Sequence, residues 1–264
     1  MLVNVLLIFG FIYIVLLVCS NSIANKLIFP KIPASYQDDS DTLKLETSKG
    51  AKITAIYLKA PSSKQLLLYS HGNGEDLGMI QGTLKNFQEM GISVLAYDYP
   101  GYGTSSNKPT ESGVYAAADA AYQLATETPN FAPEQIVLYG YSLGSGPACW
   151  LAERYPVHRL ILESAFTSAF RVMTRIKLFP NDQFDNFSRL KNISCPILLI
   201  HGTKDQIVPF WHAKKNWKVL RGKKEMFWVE DAGHNNLPEI TGPHYWETVE
   251  SFIRKTHGFG QKSG

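Results

Sequence analysis

The sequence predicts an α/β fold: a mostly parallel central sheet flanked by helices on both faces. Three observations predict it. Apolar, strand-like runs recur along the chain, and several are continuously apolar rather than alternating, as strands covered on both faces are. Helix-compatible stretches lie between them, and strand and helix taking turns implies parallel strands joined by crossovers. The chain has 264 residues, 45% hydrophobic and 19% charged. That length suits one large domain or two small ones.

The elements follow in order. From Leu2 to Cys19 the chain reads LVNVLLIFGFIYIVLLVC, with Asn4 its only strongly polar residue. As a helix, such a stretch spans roughly 27 Å, near the lower limit for crossing a bilayer. A core helix would show a polar stripe, and none is present. A cleaved signal peptide is the alternative, with small residues in VCS ending at Ser20 and SIA ending at Ala24, although no Lys or Arg precedes the apolar stretch. Residues 1–24 are therefore expected to be a single-pass transmembrane anchor or a signal segment. Lys26 and Lys31 follow it, which points to a cytoplasmic C-terminal domain if the anchor is retained. Cleavage would leave a secreted or periplasmic protein instead.

Residues 25–42, including IFPKIPASYQDDSD, have prolines, an acidic cluster and no sustained periodicity, and read as a linker. The α/β unit then occupies 43–258, with a flexible tail at 259–264. Its strands are expected at 52–58, 65–70, 92–98, 135–140, 159–164, 196–202 and 225–231. Helices are expected near 78–90, 111–127, 145–155, 209–220 and 244–256. The interval 165–190 interrupts this alternation as a short lid. Its apolar residues Phe166, Phe170, Val172, Met173, Ile176, Leu178 and Phe179 would line a pocket, or else pack on the core.

Composition excludes several classes. A net charge of +3 without a Lys/Arg cluster gives no nucleic-acid footprint. Cys19, Cys149 and Cys195 have no CxxC spacing, so neither a zinc site nor a disulfide framework is indicated, and each reads as a small apolar residue. No metal or organic cofactor is implied. No internal repeat or long low-complexity segment occurs.

In a parallel sheet, functional groups belong in the loops just after strand C-termini. HGNGEDLG (71–78) follows QLLLYS, DYPGYG (98–103) follows ISVLAY, and Tyr141-Ser142-Leu143-Gly144 follows QIVLYG. HGTKD, ending at Asp205, follows PILLI, and AGHNN, centred on His234, follows EMFWVED. Gly-x-Ser-x-Gly arises readily by chance, Asp205 alone would be a turn aspartate, and His234 alone a surface-loop histidine. Together they stand at three strand ends in the order Ser, Asp, His, which the nucleophile-elbow motif requires.

Through SHGNGED, DYPGYGTS, GYSLGSG, HGTKDQIVP and AGHNN, residues about 45–256 resemble a serine hydrolase of the α/β-hydrolase superfamily. They are especially similar to the small branch with an N-terminal membrane segment and a short lid, the membrane-anchored α/β-hydrolase domain-containing proteins and their bacterial relatives. A serine hydroxyl needs an adjacent base, so His234 would take the proton of Ser142, with Asp205 holding the imidazole. The oxyanion hole would use the backbone N–H of Leu143 and, by resemblance, that of Asn73 in a loop reading HGNG rather than HGGG. Gly140 and Gly144 would keep the elbow tight, while Gly72 and Gly74 would allow backbone shapes that side chains forbid. His71 and His201 are expected to be structural. Glu163 rivals Asp205 as the acid, and Asp231 is expected to cap or face solvent.

The resemblance implies an ester or thioester substrate, whose acyl chain the apolar residues of 165–190 would suit, with acyl lipids, acylated proteins and general carboxylesters all open. A peptidase of the same fold and a non-catalytic binding module are the alternatives. Dehalogenase or epoxide-hydrolase chemistry needs a carboxylate at the elbow, where this chain has Ser142. Asn186-Phe-Ser and Asn192-Ile-Ser match glycosylation acceptors, which matter only in a secretory compartment.

Overall fold

The computed structural model describes residues 28–127, 131–174 and 182–255, with Ile8, Gly10, Phe11, Tyr13 and Asn25. Eight strands form one sheet in the order β1-β2-β4-β3-β5-β6-β7-β8. Here β1 is Thr42–Glu46, β2 Lys52–Leu58, β3 Leu66–Ser70, β4 Ser93–Tyr97, β5 Ile136–Tyr141, β6 Arg159–Glu163, β7 Ile197–Gly202 and β8 Lys224–Val229. Strands β4, β3, β5, β6, β7 and β8 run parallel, whereas β2 pairs antiparallel with both β1 and β4.

Alternation along the central strands divides the core into two layers. Leu66, Leu68, Leu138, Leu160 and Leu162 point to one face. There they meet Ala117, Ala118 and Ala121 of α2 (Glu111–Glu127) and Ala148 and Leu151 of α3 (Ser145–Arg154). Leu67, Tyr69, Val137, Tyr139 and Ile161 point the other way, towards Leu84 and Phe87 of α1 (Gln81–Glu89). Val249, Phe252 and Ile253 of the C-terminal helix (Pro243–Arg254) complete that layer. Both faces being covered explains why these strands read as unbroken apolar runs.

Edges and lid differ from expectation. Strand β1 was not anticipated: Leu43 and Leu45 alternate with polar residues on a half-buried edge, so no apolar run marks it. Three short helices also carry little periodicity, α4 (Ala169–Thr174), α5 (Asn186–Arg189) and α7 (Leu237–Thr241). Between β7 and β8 lies α6 (Trp211–Val219), and the C-terminal helix is α8.

The stretch read as a linker has no regular structure between Pro30 and Asp39, but it is fastened to the domain. Phe29 is buried edge-on against the rings of Tyr102 and Phe184. The Ser35 amide donates to Asp76, and the Tyr36 hydroxyl donates to Asp98. Apart from the few residues named above, the expected anchor lies outside the described residues, as do the tail and positions 175–181 of the lid. Among the described residues no helix is long and apolar enough to cross a membrane.

Candidate active site

Strand β5 ends at Tyr141, and a single turn of 3-10 helix, Ser142–Gly144, leads into α3. Ser142 stands on this corner with φ +50°, in the left-handed region that side chains other than glycine rarely adopt. The corner is closed by the Ser145 hydroxyl, which donates to the Ser142 carbonyl at 2.6 Å. It is too tight for side chains at its two glycines. A Cβ on Gly144 would lie 1.9 Å from the Ser70 carbonyl oxygen, and one on Gly140 would lie 2.5 Å from the Gly144 carbonyl oxygen.

The loops after β7 and β8 bring the other two groups to this corner. His234 Nε2 lies 2.9 Å from Ser142 Oγ, and its Nδ1 lies 2.7 Å from Asp205 Oδ2. A carboxylate oxygen accepts, so Nδ1–H donates to Asp205 and Nε2 is left to accept from the Ser142 hydroxyl. Asp205 is fixed in turn, because its Oδ1 accepts the amides of Ile207 and Val208 at 2.9 and 2.8 Å. Sequence reasoning passed over Gly202, which lets the two loops meet: a Cβ there would fall 2.3 Å from the Gly233 carbonyl oxygen. Its signal was the His-Gly pair at the end of β7.

The glycine-rich loop after β3 faces the same corner. Asn73 is held at both ends of its amide: Nδ2 donates to the Ile28 carbonyl at 2.6 Å, and Oδ1 accepts from the Tyr102 hydroxyl at 2.8 Å. Gly74 has φ +74°, and a Cβ on Gly72 would press on the Tyr141 ring at 2.8 Å. His71 lies beneath. It donates through Nδ1 to the Gly72 carbonyl at 2.8 Å and pairs with Asp98 at 3.2 Å. Burial opposes charge on His71, yet Asp98, helped by the Gly72 carbonyl and Glu75, raises the imidazole above its ordinary value.

Other predicted groups are brought near without joining this series. His201 is buried and donates through Nε2 to the Val208 carbonyl, and burial lowers its pKa. Glu163 is buried below the site, where Oε2 accepts from the hydroxyls of Tyr139 and Tyr245. Desolvation raises its pKa, against the two hydrogen bonds. Asp231 is exposed and pairs with Lys204 at 2.6 Å. Asn186 is fully buried and donates to Ser145 Oγ at 2.9 Å, so its glycosylation motif is closed in the folded chain. Cys149 is buried, Cys195 is partly buried with its thiol pushed up to about 12, and Cys19 lies outside the described residues.

Two cavities share Ser142 and Asn73 on their walls. One, of about 170 Å³, is apolar and lined by Ile28, Leu143, Phe166, Phe170, Val172 and Val208. Phe166, Phe170 and Val172 of the predicted lid therefore meet the site, while Ile176, Leu178, Phe179 and the Met173 side chain lie outside the description. The other, of about 620 Å³, is an open cleft that takes in His234, Glu163 and Tyr141.

Comparison with known proteins agrees with this architecture. A family profile described as alpha/beta hydrolase fold matches residues 65–189. Alpha/beta hydrolase domain-containing protein 17B of Homo sapiens is 35% identical over 221 residues, covering 82% of this chain and 76% of the relative. Alpha/beta hydrolase domain-containing protein 17C of Mus musculus is 36% identical over 212 residues, covering 78% and 65%. Among solved structures, the Pyrococcus furiosus esterase Pf2001 superposes with a TM-score of 0.72 at 16% identity, covering 85% of this chain and 97% of its own. The Exiguobacterium antarcticum esterase EaEST gives 0.63 at 19%, covering 80% and 99%. At such identities the likeness to the solved structures is one of fold.

Proposed function

The chain belongs to the alpha/beta hydrolase family, and on that premise we propose that it is a serine hydrolase cleaving carboxylic esters or thioesters of acyl lipids or acylated proteins. One observation carries the proposal: the unbroken series from Ser142 Oγ through His234 to Asp205, with the serine on a strained corner. Nucleophile, base and orienting acid in hydrogen-bond contact are what acyl transfer to a hydroxyl requires.

In this reaction Ser142 Oγ attacks the acyl carbon while its proton passes to His234 Nε2. The carbonyl oxygen becomes an oxyanion, accepted by the backbone N–H groups of Leu143 and Asn73, with the N-terminal end of α3 adding its dipole. His234 then gives its proton to the leaving oxygen or sulfur. Water, deprotonated by the same imidazole, releases the carboxylic acid from Ser142. Asp205 keeps the ring in the Nδ1–H tautomer and stabilises the imidazolium without taking the proton. The small apolar cavity receives the acyl chain. The apolar segment from Leu2 to Cys19 would hold this site at a membrane, with the catalytic domain on the cytoplasmic side.

Fluorophosphonate labelling of the detergent-solubilised protein tests the proposal, with Ser142→Ala beside the wild type. Labelling that vanishes with Ser142 is expected, and folded wild-type protein that takes no label would overturn it. A series of p-nitrophenyl esters and acyl thioesters on the same samples should show a chain-length optimum set by the small cavity. Protease protection in sealed vesicles tests the orientation, with cleavage of the catalytic domain expected only from the cytoplasmic face.

A further inference from the structure

The open cleft beside Ser142 has a charge unlike that of the whole chain. Lys and Arg number 26 against 23 Asp and Glu. Yet among the described residues the cleft is lined by Glu75, Glu163 and Glu239 and by no lysine or arginine. Its walls are also aromatic, with Tyr69, Tyr141 and Trp246.

A second observation points to a ligand. Glu163 is only 6% exposed, and both tyrosine hydroxyls bond the same oxygen, Oε2. Among the described residues no donor serves Oε1, although Glu163 lines the cleft. Oε1 is not sealed from solvent, so it is the part of this carboxylate that a group entering the cleft would meet. Burial raises the tyrosine hydroxyls around it well above their ordinary range, so they stay neutral and add no charge of their own to this wall.

Carboxylates and aromatic walls together favour an alkylammonium group, through charge attraction and through attraction of a cation to ring faces. The apolar cavity beside Ser142 has aromatic residues, Phe166 and Phe170, but no carboxylate among its described lining residues. The nucleophile thus stands between a wall suited to hydrocarbon and a wall suited to a cation.

We propose that the cleft is the leaving-group subsite and selects esters or thioesters whose alcohol or thiol portion carries an ammonium or trimethylammonium cation. This rests on the serine-hydrolase function proposed above. In the reaction the bond from Ser142 Oγ to the acyl carbon forms as the bond to the leaving oxygen or sulfur breaks. The departing amino alcohol or thiol takes its proton from His234, and the cation itself stays unchanged.

The test compares decanoylcholine with 3,3-dimethylbutyl decanoate, in which a tert-butyl group replaces trimethylammonium at nearly the same shape. The choline ester should be hydrolysed with a kcat/KM about tenfold higher, the size expected of a cation–aromatic contact aided by charge. That ratio should fall with rising salt, and fall towards one in Glu163→Gln and in the surface variant Glu239→Gln. The second variant keeps the test open should Glu163→Gln fail to fold. Equal rates for the two esters, on enzyme whose Ser142 takes a fluorophosphonate label, overturn the cation subsite and leave the hydrolase function standing. A ratio unchanged in both variants overturns the role of these carboxylates. No label and no turnover of either ester overturns the underlying function and this subsite with it.

Discussion

Ser142, His234 and Asp205 act as one hydrogen-bonded unit, and single losses should be correspondingly severe. Ser142→Ala and His234→Ala should each lower kcat by roughly 10⁴- to 10⁶-fold while far-UV circular dichroism stays unchanged. Asp205→Asn should cost about 10⁴-fold, since an amide that donates to Nδ1 turns the ring to the wrong tautomer. Glu163→Gln should cost much less in turnover, because Glu163 bonds Tyr139 and Tyr245 and not His234. If the two acid variants ranked the other way, Asp205 would lose its role. Much of this site is legible in the sequence, because the groups it names stand at strand ends in a fixed order. The burial of Glu163 is not legible. Nothing in RLILE tells that Tyr139 and Tyr245, from elements far apart in the chain, close over its carboxylate.

Between β5 and α3 the chain turns in so little room that the turn itself is a site of stability. Gly144→Ala would drive a Cβ into the Ser70 carbonyl of the neighbouring strand, at the tightest point of the corner. Backbone cannot yield as a side chain can, so the variant should lose about 3 kcal/mol or more, read as a fall in the chemical-denaturation midpoint. Gly50, with no atom within 4 Å of its added Cβ, offers the control for crowding, although its φ of +70° strains any side chain. Strands β3 to β7 were readable because burial on both faces leaves their central positions apolar, with polar groups such as Ser93, Arg159, Glu163 and His201 confined to their ends. Strand β1 was hidden by its edge position, where Lys44 bonds Thr54 and Thr104 while Leu43 and Leu45 pack half-buried. The short helices escaped for want of length: four to six residues complete barely one turn and show no period.

Across the whole molecule, buried titratable groups pull stability in opposite directions with pH. Burial lowers His201, and it lowers His212 to about 3, where Nδ1 accepts the Thr167 amide. These neutral histidines contribute stability that is present above their ordinary value of 6.5 and lost as pH falls towards their folded values. His71 and Glu163 are raised, so their contributions are full below 6.5 and 4.5 respectively and are lost as pH rises through the folded values. Melting temperatures between pH 4 and 9 should therefore pass through a maximum. In His212→Gln the decline on the acid side should be shallower, and in Glu163→Gln the decline above pH 4.5 should be. Unchanged slopes would count against these assignments.

The contact between the Ile28 carbonyl and the Asn73 side chain has a practical consequence. Whatever is done to the chain at Ile28 is done next door to the Ser142 corner. A shortened protein starting after Phe29 would lack both this acceptor and one wall of the apolar cavity. Such trimming should lower kcat and lengthen the preferred acyl chain rather than leave the protein as it was. Shortened versions are best compared with the protein that keeps Ile28 before their specificities are believed.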